Sequence, residues 1–89
     1  MYAKRRDANE QEIVKALEKI GCKVVRLHTP ADLLVGYRAK NFLIECKGKA
    51  GRKTEDQAEF FATWPGQIRL VKTVDEALDL VTKAYQRNL

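Results

Sequence analysis

Two carboxylates and an amine occupy two neighbouring extended segments of this 89-residue chain. The apolar run 42–44 leads into Glu45, and Lys47 follows two positions later, so both side chains point to the same side of one strand. Asp32 directly precedes another apolar run, 33–35, which we expect to pair antiparallel with the first. The three charged groups then converge on one cleft, and such a group is typical of metal-dependent phosphodiester hydrolysis.

That reaction needs an activated water, stabilisation of charge on the phosphoryl oxygens and help for the leaving oxygen, and magnesium can serve all three roles. Mg²⁺ prefers oxygen ligands and keeps several waters, so few protein ligands suffice. We expect Asp32, Glu45 and the backbone carbonyl of Cys46 to be ligands of Mg²⁺, for which Mn²⁺ can substitute. Lys47 would orient or help deprotonate the attacking water and stabilise negative charge in the transition state.

Each of these residues also has a simpler interpretation. Asp32, two positions after Pro30, has the sequence of an ordinary turn residue, and Glu45 with Lys47 is compatible with the exposed face of an edge strand. The joint arrangement favours a site, because an apolar run before Glu45 indicates proximity to the sheet centre, where charges need a partner or a metal.

A third acid is a candidate metal ligand on the first helix. Glu10 lies three residues before Ile13 and seven before Leu17, which places it near the edge of the helix that faces the sheet. The alternative is that an acid in the first turn only favours the helix dipole.

Gln57 is a further candidate, on the second predicted helix. It shares one side of that helix with Phe61 and Trp64, where it could contact substrate phosphate or position Lys47. Its alternative role is a capping box with Thr54, and the sequence leaves both open.

The loop 48–53, between Lys47 and this helix, holds three positive charges and two glycines. We expect its cationic residues Lys49, Arg52 and Lys53 to contact DNA phosphates, and its glycines let the backbone approach them as well. The alternative is a mobile, solvated connection without a ligand.

The elements that must position these residues follow the order αβββαβα. The pattern predicts a helix over 7–20, capped by Asp7 or Asn9, with an apolar stripe that includes Ile20, and ended by Gly21. Strands follow at 24–27, 33–35 and 42–47, with 36–41 as a hairpin connection. A helix over 54–64, a strand over 68–71 and a helix capped by Thr73, with a stripe that ends at Tyr85, complete one domain, 1–89. A meander followed by a helical crossover predicts a mixed four-stranded sheet with helices on its faces.

Composition narrows the function classes. The net charge of +5 favours a polyanionic partner such as nucleic acid. The chain has no serine, which excludes a Ser-His-Asp hydrolase, and Cys22 and Cys46 lack CxxC spacing, so we expect buried free thiols in a reducing compartment. No apolar run approaches the roughly 20 residues that cross a bilayer, so an intracellular, cytoplasmic protein is expected.

In this order the residues resemble the PD-(D/E)xK nuclease superfamily and, in detail, its virus-type replication-repair nuclease (VRR-NUC) domains, over nearly the whole chain. In that family an acid follows a proline, then come Glu-x-Lys-Gly and a helix with a glutamine. The matching positions here are Asp32, Glu45, Lys47, Gly48 and Gln57. One departure is Ala31, which separates Pro30 from Asp32, whereas the two are adjacent in many members.

The first helix also resembles archaeal Holliday junction resolvases, whose helical glutamate matches Glu10 and whose next strand resembles residues 23–26. The resemblance implies a restriction-endonuclease-like αβββαβ core plus a C-terminal helix, a metal role for Glu10 and a site role for Gln57. It also implies a homodimer that cuts branched DNA such as Holliday junctions with Mg²⁺, without a small-molecule cofactor, and makes a phage or prophage origin plausible. The alternatives are a non-catalytic nucleic-acid-binding module and a nuclease for ordinary duplex.

Overall fold

The computed structural model describes the backbone of residues 7–86 and the side chains of residues 7–83. The basic residues 4–6, the side chain of Tyr85 and both ends of the predicted domain therefore lie outside the described residues. The elements are α1 (Glu10–Lys19), β1 (Lys23–Arg26), β2 (Leu33–Tyr37), β3 (Lys40–Cys46), α2 (Glu55–Thr63), β4 (Ile68–Val71) and α3 (Val74–Gln86). The predicted α/β class and element order are confirmed.

The four strands form one mixed sheet in the order β1-β2-β3-β4. β1, β2 and β3 are antiparallel neighbours, whereas β4 runs parallel to β3. A parallel pair needs a crossover connection, and α2 supplies it here. β3 lies between two neighbours, so the strand that carries Glu45 is central, as its apolar run predicts.

The core lies between the inner face of the sheet and the helices α1 and α3. Helix α1 contributes Ile13, Val14 and Leu17, and α3 contributes Ala77 and Val81, all of them buried. The strands contribute alternate residues to this layer, as the two-residue period of a strand requires: Leu33, Val35, Phe42, Ile44, Cys46 and Val71. Ile20 does not belong to the stripe predicted for it, because α1 ends before it and its side chain is 38% exposed.

The hairpin between β2 and β3 is tighter than predicted. Gly36 pairs with Asn41 and Tyr37 with Lys40, so only Arg38 and Ala39 form the turn. Both have positive φ, 50° and 68°, as a two-residue turn that follows the strand twist demands. The glycine at 36 indicated the turn in the sequence, but it lies within the strand.

The helix ends follow most of the predicted signals. Gly21, with φ of 104°, follows α1, and Thr54 and Thr73 accept hydrogen bonds from the backbone of Gln57 and Glu76 at the starts of α2 and α3. Asn9 occupies the N-cap position of α1 without making the predicted side-chain cap. β1 ends at Arg26, one residue before Leu27.

The predicted free thiols are confirmed, since Cys22 and Cys46 are both buried and unbridged. Within residues 7–86, none of the helices is both long enough and apolar enough to cross a membrane.

Candidate active site

Asp32 and Glu45 lie at the same end of the sheet. Asp32 directly precedes β2 and Glu45 is near the end of β3, and these two strands are antiparallel. The backbone N–H of Asp32 donates to the carbonyl of Ile44 at 3.1 Å, which continues the ladder to the acid itself. The Oδ2 atom of Asp32 accepts the backbone N–H of Cys46 at 2.8 Å. Both carboxylates are buried, with exposures of 4% and 3%. Asp32 is near enough to Glu45 for its charge to act on that carboxyl, so the two acids lie at the same end of the sheet, where the sequence predicts them.

The two oxygens of Glu45 differ in their surroundings. Oε2 accepts a hydrogen bond from Nε2 of Gln57 at 2.9 Å and lies 3.2 Å from Nζ of Lys47. Oε1 is buried and, among the described residues, has no hydrogen-bond partner. A buried acceptor without a partner is costly, and a cation that binds Oε1 would remove that cost. Glu45 is therefore held by one oxygen, which leaves the other for a ligand.

The pKa of Glu45 is raised above that of an ordinary glutamate. Burial is the main cause, the negative charge of Asp32 is the next, and the ion pair with Lys47 and the hydrogen bond from Gln57 oppose them. The amine of Lys47 and the amide of Gln57 thus do not fully offset burial and the charge of Asp32. A divalent cation would do so, and it would favour the ionised form of both acids.

Glu10 is placed at the same site by the N-terminal turn of α1. Its side chain is 2% exposed, and Oε2 lies 3.4 Å from Nε of Arg26 on β1. One carboxylate oxygen of Glu10, one of Asp32 and the Sγ atom of Cys46 lie within 4.8 Å of one another. An acid that only favours the helix dipole can stay exposed, whereas Glu10 is buried beside Asp32. This placement favours a ligand role for Glu10.

The thiol of Cys46 is not suited to magnesium. Burial and the surrounding carboxylates raise its pKa to about 12, so the sulfur stays protonated at neutral pH. Magnesium is also a hard cation that selects oxygen ligands. The carboxylate oxygens of Glu10 and Asp32 suit Mg²⁺ or Mn²⁺, whereas Glu45 lies outside this 4.8 Å group and is linked to it by the charge of Asp32. Cys46 would add only its backbone carbonyl.

Gln57 fills both of the roles that the sequence left open. Its Oε1 accepts the backbone N–H of Thr54 at 2.9 Å, and its own N–H donates to Oγ1 of Thr54 at 3.2 Å, which completes a capping box. Its Nε2 donates to Glu45. Helix α2 is thus attached to the site by a residue of its first turn.

The replacement Gln57→Glu tests this double role. A glutamate keeps the acceptor of the capping box but sets a carboxylate against Oε2 of Glu45. We expect the free energy of unfolding at pH 7.5 to fall by about 1–3 kcal/mol, because a buried hydrogen bond is lost and like charges meet. The deficit should shrink as the pH falls, since protonation removes the repulsion and restores a donor.

Chemical denaturation at several pH values provides the measurement. The control is Gln57→Ala, which loses the box and the amide without adding a charge, so its deficit should not shrink in the same way. A deficit of Gln57→Glu that does not change with pH would contradict the contact with Glu45.

The loop that follows Lys47 is exposed but attached to the site. Lys49, Arg52 and Lys53 are exposed, as DNA contacts require, and they lie outside the buried acidic group. The N–H of Gly48 donates to Oδ2 of Asp7 at 2.8 Å. Gly51 passes so close to Lys47 that an added Cβ would lie 2.9 Å from the lysine's Cβ. These contacts favour an ordered loop over the mobile one.

Three residues of the site were not recognised in the sequence. Asn9 donates from Nδ2 to the carbonyls of Lys47 and Lys72, at 3.0 and 2.8 Å, and so links α1 to the ends of β3 and β4. Asp7 holds the loop, and Arg26 contacts Glu10. The sequence signals of Asp7 and Asn9 are those of helix caps. For Arg26, the signal is the two-residue period of a strand, which places it on the same side of β1 as Val24.

The aromatic residues of α2 make two further contacts. The ammonium of Lys53 lies 4.3 Å from the centre of the Phe61 ring. Phe60 stacks on Trp64. A pocket of about 300 Å³ adjoins Glu45, and its lining includes His28, Pro30, Gln57 and Phe60. Glu45 is therefore accessible to a ligand on the α2 side of the sheet.

Comparisons of the chain with protein-family models, curated proteins and solved structures found no match. The assignment of a function consequently depends on the residues and on the geometry described above.

Proposed function

We propose that this protein is a magnesium-dependent, structure-specific DNA endonuclease that hydrolyses phosphodiester bonds in branched DNA such as Holliday junctions. The observation that carries the proposal is the buried pair Asp32 and Glu45, with Lys47 beside it and one oxygen of Glu45 left without a partner among the described residues. An ion pair with Lys47 needs only one carboxylate, whereas a metal site needs several, and the charge of Asp32 acts on Glu45.

Each residue has a defined task in this proposal. Asp32, Glu45, Glu10 and the carbonyl of Cys46 would hold the cation, which would supply polarisation of the scissile phosphate and a lower pKa of water. Lys47 lies 3.2 Å from Oε2 of Glu45, so it is placed to orient the attacking water and to stabilise developing negative charge. Gln57 keeps Glu45 in position and adjoins the pocket through which a phosphate would enter.

DNA would be held by the loop after Lys47. Its exposed residues Lys49, Arg52 and Lys53 follow the site directly, and a cationic loop contacts the phosphates next to the one that is cut. The net charge of +5 supports a polyanionic substrate. The element order and the mixed sheet are compatible with a restriction-endonuclease-like core, as the family resemblance implies.

Branched DNA, a homodimer and a cytoplasmic site of action, in a phage or its host, belong to the proposal through that resemblance. Two active sites related by a two-fold axis suit a four-way junction, which requires two symmetric nicks.

The proposal is tested with a labelled four-way junction and a linear duplex of matching sequence, each incubated with the protein in magnesium and in EDTA. Denaturing gels should show paired nicks in the junction, only with magnesium. Equal cleavage of the linear duplex would instead indicate a nuclease for ordinary duplex. Binding in EDTA without cleavage of any DNA in magnesium or manganese would indicate the non-catalytic nucleic-acid-binding module.

A further inference from the structure

The sheet face on the side of α2 carries a large apolar groove away from the acids. Its volume is about 770 Å³, and its lining includes Leu34 and Leu43 of the sheet, Phe60 of α2 and Trp64, the residue that follows α2. Val25 is the register partner of Leu34, so it extends the same surface across β1. We refer to Val25, Leu34, Leu43, Phe60 and Trp64 as the outer apolar face.

This face holds most of the large hydrophobic side chains that are exposed in the described part of the chain. Those side chains are Ile20, Val25, Leu34 and Trp64, and three of the four belong to the outer apolar face. α2 itself buries none of its residues fully, because it covers only part of the sheet. A contiguous apolar surface of this kind on a small domain marks an interaction site.

Trp64 is fixed in place although it is 42% exposed. Its ring stacks on Phe60 with the centroids 5.3 Å apart. Gly66 lies beneath the indole, since an added Cβ would lie 2.7 Å from its Nε1 atom. An exposed tryptophan that is already ordered loses little entropy when a partner covers it, as interface hot spots require.

The charges beside the groove identify the partner. Helix α2 carries Glu55, Asp56 and Glu59 and has no basic residue, whereas the hairpin on the other side of the groove carries Arg38 and Lys40. Under a two-fold axis, the acidic helix of one copy faces the basic hairpin of the other. An acidic helix repels DNA phosphates, so the face is poorly suited to nucleic acid.

We propose that the outer apolar face binds a second copy of this chain in an isologous dimer, with Trp64 at the centre of the contact. The dimer itself is part of the proposed function, and the inference names the surface that forms it. Because Pro30 and Phe60 line both the groove and the pocket of Glu45, this contact places that pocket of each copy next to the dimer interface.

The test measures the mass of the full chain by sedimentation equilibrium, in EDTA and without DNA. Wild type should sediment as twice its chain mass of 10.2 kDa at micromolar concentration. Leu34→Asp and Trp64→Ala should each raise the dissociation constant at least about thirtyfold, as the loss of a hot spot does. The matched control is Ile20→Asp, because Ile20 and Leu34 are both 38% exposed and Ile20 lies off the face; this variant should remain dimeric.

A second readout uses the fact that Trp64 is the only tryptophan of the chain. Its emission should shift to the red on dilution through the dissociation constant. If Leu34→Asp does not fold by circular dichroism, Trp64→Ala decides. A wild-type monomer at 100 μM or a dimer that survives Trp64→Ala would overturn the proposal, and so would a monomer whose Trp64 fluorescence is quenched by single-stranded oligodeoxynucleotide. None of these outcomes depends on cleavage, so the nuclease proposal stands or fails separately.

Discussion

Lys47→Ala should cut a bound four-way junction about 10²- to 10⁴-fold more slowly than wild type, the range expected when a proton-handling group is lost. The amine lies 3.2 Å from Oε2 of Glu45 and its side chain is only 19% exposed, so it is part of the buried site and contributes little to the surface that meets DNA. Junction affinity should consequently change little. Single-turnover cleavage with enzyme in excess, together with binding measured in EDTA, separates the two quantities.

Lys49→Ala is the matched control for this experiment. Lys49 lies two residues further along the chain and is exposed in the loop. If it contacts a phosphate, its loss weakens binding and reduces the salt dependence of affinity by about one ion. Cleavage of the DNA that is already bound should stay near the wild-type rate. Unchanged cleavage by Lys47→Ala would contradict its role in the reaction, whereas weaker binding by both variants alike would place Lys47 among the phosphate contacts.

The main acids of the site could be predicted because their positions depend on local periodicity. Glu45 and Lys47 are two residues apart on a strand, so they share a face wherever that strand is placed. Asp32 joins them through the antiparallel pairing of two adjacent apolar runs, which is the simplest connection for such runs. Each inference required only neighbours in sequence or one hairpin.

The supporting contacts could not be predicted in the same way, because they join distant parts of the chain. Asn9 bonds to carbonyls 38 and 63 residues away, and the position of those carbonyls depends on how α1 and α3 pack. At the sequence level, an asparagine before a helix indicates a cap. The tertiary contact takes its amide instead, and the cap bond is absent.

The turn at Arg38 and Ala39 shows a different limit. Both residues have positive φ, although neither residue type favours it, whereas Gly36 occurs within β2. The strand pairing on both sides determines the turn, and the turn residues only accommodate it. Likewise, a hydrophobic pattern identifies a buried face but does not say whether the same chain covers it, which is why the outer apolar face became visible only in the fold.

Divalent cations should stabilise the wild-type protein but not Asp32→Asn. A cation at tenfold its dissociation constant adds about 1.4 kcal/mol, which corresponds to a rise in Tm of about 6 °C or more for a domain of this size. The substitution keeps an acceptor for the N–H of Cys46 but removes a charged ligand. Thermal melts in EDTA and in millimolar MnCl₂, with Glu12→Gln as an exposed-acid control, measure the difference.

The same substitution should make the metal-free protein at least as stable as wild type at pH 7.5, because burial and the charge of Asp32 together raise the pKa of Glu45 and the substitution removes that charge. A carboxyl whose pKa is raised by folding destabilises the fold when it ionises, so metal-free wild type should gain stability as the pH falls through that raised pKa. Asp32→Asn should show less of this gain. Below the same pKa protons compete with the cation for Glu45, so manganese should raise the Tm of wild type progressively less as the pH falls. Equal stabilisation of both proteins by manganese would contradict a metal site at Asp32, and a metal-free Asp32→Asn that unfolds well below wild type would mean that Asp32 is retained for the fold.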